Sequence, residues 1–133
     1  MDLDKETQQK IQELQGLEQN FQQVLMQKQA FQIELSETEN ALAEISTRVG
    51  GLDLVIPNAG VAYVSKIEDM DPDKFDQVTA VNLKGTLNLI KASVPIFRRQ
   101  GTGGNIVLIS SKNVFDPGAS FGAYSASKAG AHQ

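Results

Sequence analysis

Tyr124 and Lys128 are four residues apart, a spacing that puts both on one face of a helix and brings an ammonium group alongside a phenol. A phenol is a poor base near neutrality because its reference pKa is about 10, and a neighbouring cation favours the phenolate. The pair is therefore suited to moving a proton to or from a substrate oxygen. Ser111, thirteen residues before Tyr124, follows the apolar run from Ile106 to Ile109 and falls at the carboxyl end of a strand, the edge at which α/β sheets present ligands. Asn82 lies inside a stretch with helical spacing, where a buried amide must be hydrogen-bonded. The absence of cysteine and the single histidine, His132, exclude thiolate nucleophiles and Cys-based zinc sites. No metal site is expected, and His132 is expected to be disordered near the terminus.

The elements that must position these residues occupy 50–133, which hold ten of the eleven glycines and all four prolines. Leu52 to Ile56 is a short apolar run between Gly50-Gly51 and Pro57 and reads as a buried parallel strand. Asp71-Pro72-Asp73 supplies an N-cap followed by proline at the first helical position. Phe75, Val78, Val81, Leu83, Leu87, Ile90, Val94 and Phe97 continue with helical spacing to Arg98-Arg99, and Gly101 follows as a C-cap. Asn105 to Ser110 reads as a second buried strand, and a helix starts near Tyr124. Strand, helix, strand predicts a right-handed crossover.

Residues 1–49 differ in kind: ten glutamines, one glycine (Gly16), no proline, and four basic against nine acidic groups. Leu3, Leu17, Val24, Phe31 and Ile45 fall at one heptad core position, and Leu14, Phe21, Leu35, Leu42 and Val49 at the other. Thr7, Lys10, Lys28 and Thr38 interrupt the pattern. This predicts an amphipathic, coiled-coil-type helix from Asp4 to Thr47, about 65 Å long at the standard rise. The fold class is thus α/β: a long N-terminal amphipathic helix, then a β-α-β-α fragment of a Rossmann-like parallel sheet. Two strands are too few to stand alone, so completion by oligomerisation is expected.

Asn58-Ala59-Gly60, Val81-Asn82-Leu83-Lys84-Gly85, Ile106 to Ser111 and Tyr124-Ser-Ala-Ser-Lys128 resemble, in order and spacing, the central part of short-chain dehydrogenase/reductases. The stretch from Ser110 to Gln133 is similar to the dehydrogenase part of rhamnulose-phosphate aldolase/alcohol dehydrogenases. The resemblance implies Tyr124 as general acid/base, Lys128 as ribose-holding cation, Ser111 as the group orienting the substrate oxygen, and Asn82 as the anchor of a relay water. Asn58, Ala59 and Gly60 would edge the cofactor site together with Tyr124 and Lys128. Pro57 stands where the family usually has a second asparagine. The family's glycine-rich dinucleotide loop has no counterpart, since Gly101-Thr-Gly-Gly104 precedes a strand instead of following one. Residues 1–48 resemble the N-terminal coiled-coil helix of archaeal prefoldin β subunits, through their Gln-rich start, Val24 to Leu35, and Glu37 to Ile45.

Two domains follow from these resemblances, a prefoldin-like helix over 1–48 and a dehydrogenase fragment over 49–133. They point first to a recombined, self-assembling chimera without native catalysis and without a cofactor. An NAD- or NADP-dependent oxidoreductase remnant is the alternative, and a coiled-coil holdase the second alternative. The expected partner is a second copy, met through the long helix, the helices over 72–99 and 121–132, and the sheet edges. The net charge of -4 leaves no basic field for nucleic acid. No membrane segment or signal peptide is read, so a cytoplasmic setting is expected.

Overall fold

The computed structural model describes residues 5–133, and the side chains of all of these except Glu6 and Phe31. Leu3, read as a heptad core position, and Asp4, read as the start of the helix, lie outside the described residues. Helix α1 is Lys5–Val49, matching the heptad over its length. The chain divides into two compact units, Met1–Ser36 and Glu37–Gln133. Within the second, Glu39, Asn40 and Ala43 of α1 share a groove with Ala92, Pro95, Ile96 and Arg99.

Strands β1, Leu54–Val55, and β2, Asn105–Ile106, form a parallel pair with Leu54 opposite Asn105 and Val55 opposite Ile106. The ladder extends further than the regular strands: Asn105 N donates to Asp53 O (2.9 Å), Val107 N to Val55 O (3.0 Å) and Ile109 N to Pro57 O (3.2 Å). Both strands are shorter than the apolar runs predicted, because each has a neighbour on one side only among the described residues. Their burial also differs. Val55 and Pro57 are buried, whereas Leu54, Ile56, Val107 and Ile109 are exposed. A run buried on both faces would need a layer on each side of the sheet, and here one face is covered.

The predicted crossover helix forms in three parts: α2 (Pro72–Thr79), a π-helical turn (Ala80–Lys84) and α3 (Gly85–Gln100). Asp71 caps α2 as its sequence demands, its carboxylate accepting from Asp73 N at 2.9 Å. At the other end Gly101 takes the left-handed conformation, φ +74°, that glycine adopts without a Cβ penalty. In the π-turn the Gly85 N–H reaches back five residues to Ala80 O. Helix α4 is Gly122–His132 and packs on the π-turn and on α2. Val55, Val78, Ala92, Ile96, Phe97 and Ala123 form the apolar core.

Gln100 closes this unit in a way that periodicity does not reveal. Its Oε1 accepts from Leu52 N (3.0 Å) and its Nε2 donates to Leu52 O (2.7 Å) and to Gly103 O. One amide thereby satisfies both backbone groups of the residue leading into β1, as a neighbouring strand would. Gly51 lies against it at φ +145°, where an added Cβ would sit 3.0 Å from Gln100 Oε1. Next to the clamp, a Cβ at Gly104 would run into the ring of Phe97. Gly104→Ala is expected to destabilise the fold by about 1–3 kcal/mol, the usual range for overpacking. Urea denaturation against wild type checks this; an unchanged midpoint would show that the Phe97 ring is not held in place.

Candidate active site

The site begins with Asn82 in the π-turn. A π-turn adds one residue to a helical turn and shifts the side chains that follow, and Asn82 is fully buried here. Its Oδ1 accepts from Val61 N at 2.8 Å, and its Nδ2 donates to Val61 O and to Ser127 Oγ, both at 2.9 Å. Ser127 Oγ passes its own hydrogen to Tyr124 O at 2.8 Å. The backbone carbonyl of Asn82 accepts from Thr86 Oγ1 at 2.8 Å. The buried amide is thus paired on every side, which answers the desolvation penalty it would otherwise carry. Three segments are joined by it: the loop after β1, the helix interruption and the first turns of α4.

Lys128 makes the second tie. Only 5% exposed, it donates from Nζ to Ile109 O at 3.0 Å, binding α4 to the chain leaving β2. Gly60 lies beside it: a Cβ there would stand 3.4 Å from Lys128 Nζ and 3.5 Å from Asn82 Oδ1. Ser111 caps a short 3-10 turn, Lys112–Val114, with Oγ accepting from Asn113 N at 3.2 Å. The rings of Phe121 and Tyr124 meet edge to face, with centroids 6.1 Å apart.

These ties border an open cavity of about 600 Å³ whose walls include Asn58, Gly60, Ser111, Tyr124 and Lys128, within the size range of small-molecule and cofactor sites. Of the residues singled out from sequence, those five line it, while Asn82 lies behind the wall and Ala59 is not part of the lining. The side chain of Asn82 holds Val61 and Ser127. Ser127 was not singled out. Its signal lies in its place between Tyr124 and Lys128, where a small polar residue on the inner side of α4 is positioned to meet a buried amide. His132 is ordered, contrary to expectation: it closes α4, its Nδ1 lies 3.3 Å from Ser110 Oγ, and its ring meets Phe115 edge to face. Gly101 and Gly103, both at φ +74°, shape the turn into β2 as read.

The arrangement sets a phenol, a serine hydroxyl and a buried lysine around one cavity at the carboxyl end of a parallel ladder. The sequence model described as "short chain dehydrogenase" matches residues 2–133. The chain belongs to the short-chain dehydrogenase family. It is 35% identical over 95 residues to a D-beta-hydroxybutyrate dehydrogenase from Rhizobium meliloti, covering 71% of this chain and 36% of that protein. A probable oxidoreductase from Mycobacterium tuberculosis is 39% identical over 95 residues, covering 71% of this chain and 16% of the relative. Among solved structures, a short-chain type dehydrogenase/reductase from Mycobacterium marinum superposes with a TM-score of 0.68 at 24% identity, over 72% of this chain and 40% of the other. An alcohol dehydrogenase from Thermococcus sibiricus, solved in complex with 5-hydroxy-NADP, gives 0.66 at 26% identity over 73% and 40%.

The short-chain dehydrogenase chain described here thus spans about two fifths or less of these relatives' lengths. The family match runs from residue 2 through the whole of α1. This overturns the reading of the protein as a recombined, non-catalytic chimera: helix and α/β segment fall under one family description, and the relatives are oxidoreductases. No described helix is long and apolar enough to cross a membrane.

Because Ser127 and Asn82 share one buried hydrogen bond, Ser127→Ala is expected to lower stability by about 1–3 kcal/mol, the cost of an unpaired buried donor. Combining it with Asn82→Ala is expected to cost less than the two changes added separately, by at least about 0.5 kcal/mol. A double-mutant cycle by chemical denaturation checks both, and strict additivity would contradict the shared bond.

Proposed function

We propose that this chain carries the proton-transfer half of an NAD- or NADP-dependent oxidoreductase site that interconverts an alcohol and a carbonyl compound. The observation that carries the reading is the single cavity lined by Ser111, Tyr124 and Lys128, on a chain of a family whose matched relatives include a D-beta-hydroxybutyrate dehydrogenase. When bound, a nicotinamide supplies or accepts the hydride, chemistry that no side chain offers. The lining fits the ribose end of such a group. Gly60 leaves open the space that a Cβ would take beside Lys128 Nζ, so hydroxyl groups can approach the ammonium. Asn58, Gly60, Tyr124 and Lys128 would hold it.

The chain's own residues supply the rest. In the reductive direction the Tyr124 hydroxyl gives its proton to the substrate oxygen as negative charge develops there; in the oxidative direction the phenolate takes it back. Lys128, held by Ile109 O, lines the same cavity as Tyr124 and Ser111. Ser111 offers a hydroxyl that orients the substrate oxygen. Phe121 stands edge-on against the Tyr124 ring and restricts its rotation.

Turnover of hydroxy acids and secondary alcohols with NAD and NADP, read by absorbance of the reduced nucleotide, tests the proposal. Tyr124→Phe is expected to lower kcat by about 100-fold or more, the range for loss of a general acid/base, with nucleotide affinity by fluorescence titration changed less than about threefold. Lys128→Met is expected to weaken nucleotide binding as well as turnover. Wild-type turnover in Tyr124→Phe, or the absence of both turnover and saturable nucleotide binding in the wild type, would contradict the assignment.

A further inference from the structure

The cavity bordered by Ser111, Tyr124 and Lys128 also takes in Lys112 and Asn113, which follow Ser111 on the short 3-10 turn Lys112–Val114. Lys112 and Lys128 are the charged residues of its lining, and no carboxylate among the described residues joins them there. Lys128 is committed, buried and donating to Ile109 O. The Lys112 ammonium stands 3.6 Å from Asp116 Oδ2, with the two side chains 77% and 85% exposed, and an ion pair so placed in water is weak and readily exchanged. Asn113 is only 9% exposed. Its backbone N–H is taken up by Ser111 Oγ at 3.2 Å, while its side-chain amide makes no hydrogen bond among the described residues. A polar side chain this buried is ordinarily hydrogen-bonded, and the cavity it lines is where a partner can reach it.

We propose that Lys112 and Asn113 receive the carboxylate of a short hydroxy acid, or of the matching oxo acid, whose reacting oxygen meets Ser111 and Tyr124. The proposal rests on the oxidoreductase reading of this cavity and names its substrate class. A carboxylate presents two acceptor oxygens, and an ammonium and an amide N–H are two donors that satisfy them. Ser111, Lys112 and Asn113 are consecutive. With about 3.8 Å between successive Cα atoms, the groups they hold are a few bonds apart, as the oxygen and the carboxylate are in a 2- or 3-hydroxy acid. Asp116 lies outside the lining, so Lys112 can exchange that exposed partner for the substrate. A neutral alcohol leaves the Asn113 amide without a partner, and a site built around such a group rejects ligands that lack the matching one.

3-Hydroxybutyrate, its methyl ester and 2-butanol share a secondary alcohol and serve as probes of the full chain. With NAD or NADP the acid is expected to exceed the ester in kcat/KM by at least about tenfold, the scale of one hydrogen bond to a charged group. Lys112→Gln, a change at an exposed position, is expected to raise KM for the acid about tenfold with kcat altered less than about threefold. Lys112→Arg is expected to keep the wild-type KM, and Asp116→Asn, by releasing the ammonium, to lower it about twofold. Asn113→Asp, which sets a like charge against the acid, is expected to raise KM more than about tenfold. Saturation-transfer difference NMR of the acid and the ester without nucleotide reads binding apart from turnover, and the acid signal is expected to be the stronger and to fall in Lys112→Gln. Equal kcat/KM for acid and ester, or an unchanged KM in Lys112→Gln, would overturn the substrate assignment and leave the oxidoreductase reading standing. Absence of turnover with every probe would contradict that reading alone, and equal saturation of acid and ester, or none of the acid, would then overturn the carboxylate site as well.

Discussion

The geometry of the α/β unit depends on the side-chain amide of Asn82. Its three hydrogen bonds reach the backbone of Val61 from both sides and the hydroxyl of Ser127, and Ser127 continues to the Tyr124 carbonyl. A buried amide with one of these partners missing would be strongly penalised. The loop that carries Asn58 and Gly60, the π-turn and the start of α4 must therefore assume their positions together. Lys128 extends the constraint by tying α4 to Ile109, two residues before Ser111. The cavity residues come from distant parts of the sequence and are brought to one place by these two polar side chains.

Much of this was legible beforehand where a residue's local role has one physical solution. Asp71-Pro72 and Gly101 mark helix ends through capping and backbone preference, and both ends fall where they were read. The four-residue spacing of Tyr124 and Lys128 holds on α4, and their order relative to Ser111 places all three on one cavity. The π-turn was not legible, because the apolar spacing over 72–100 is loose enough to absorb the phase shift of one inserted residue. The Gln100 clamp was equally hidden: a glutamine beside a helix terminus has no pattern of its own until the chain folds back to Leu52. Strand runs reveal their apolar content but not how many layers cover them, so the exposed side chains of Leu54, Ile56, Val107 and Ile109 emerge only in three dimensions.

The long helix shows how composition can mislead. Glutamine-rich heptads are shared by unrelated coiled coils, and the contrast in glycine and charge on either side of Gly50 resembles a seam between two proteins. The family match runs across that contrast, from residue 2 to residue 133. What persists is the physical fact beneath the composition: a stripe of exposed Leu, Phe and Val with two lysines set into it. That stripe and the cavity lined by Ser111, Tyr124 and Lys128 are formed by different residues of one chain.

The central claim, that the Tyr124 and Lys128 cavity receives the nicotinamide-ribose end of a dinucleotide, is met most directly by saturation-transfer difference NMR of NADH and NADPH with the full chain. The account predicts the strongest saturation on the nicotinamide and adjoining ribose protons, and its loss in Lys128→Met. Saturation confined to the adenine end, or unchanged by Lys128→Met, would contradict it.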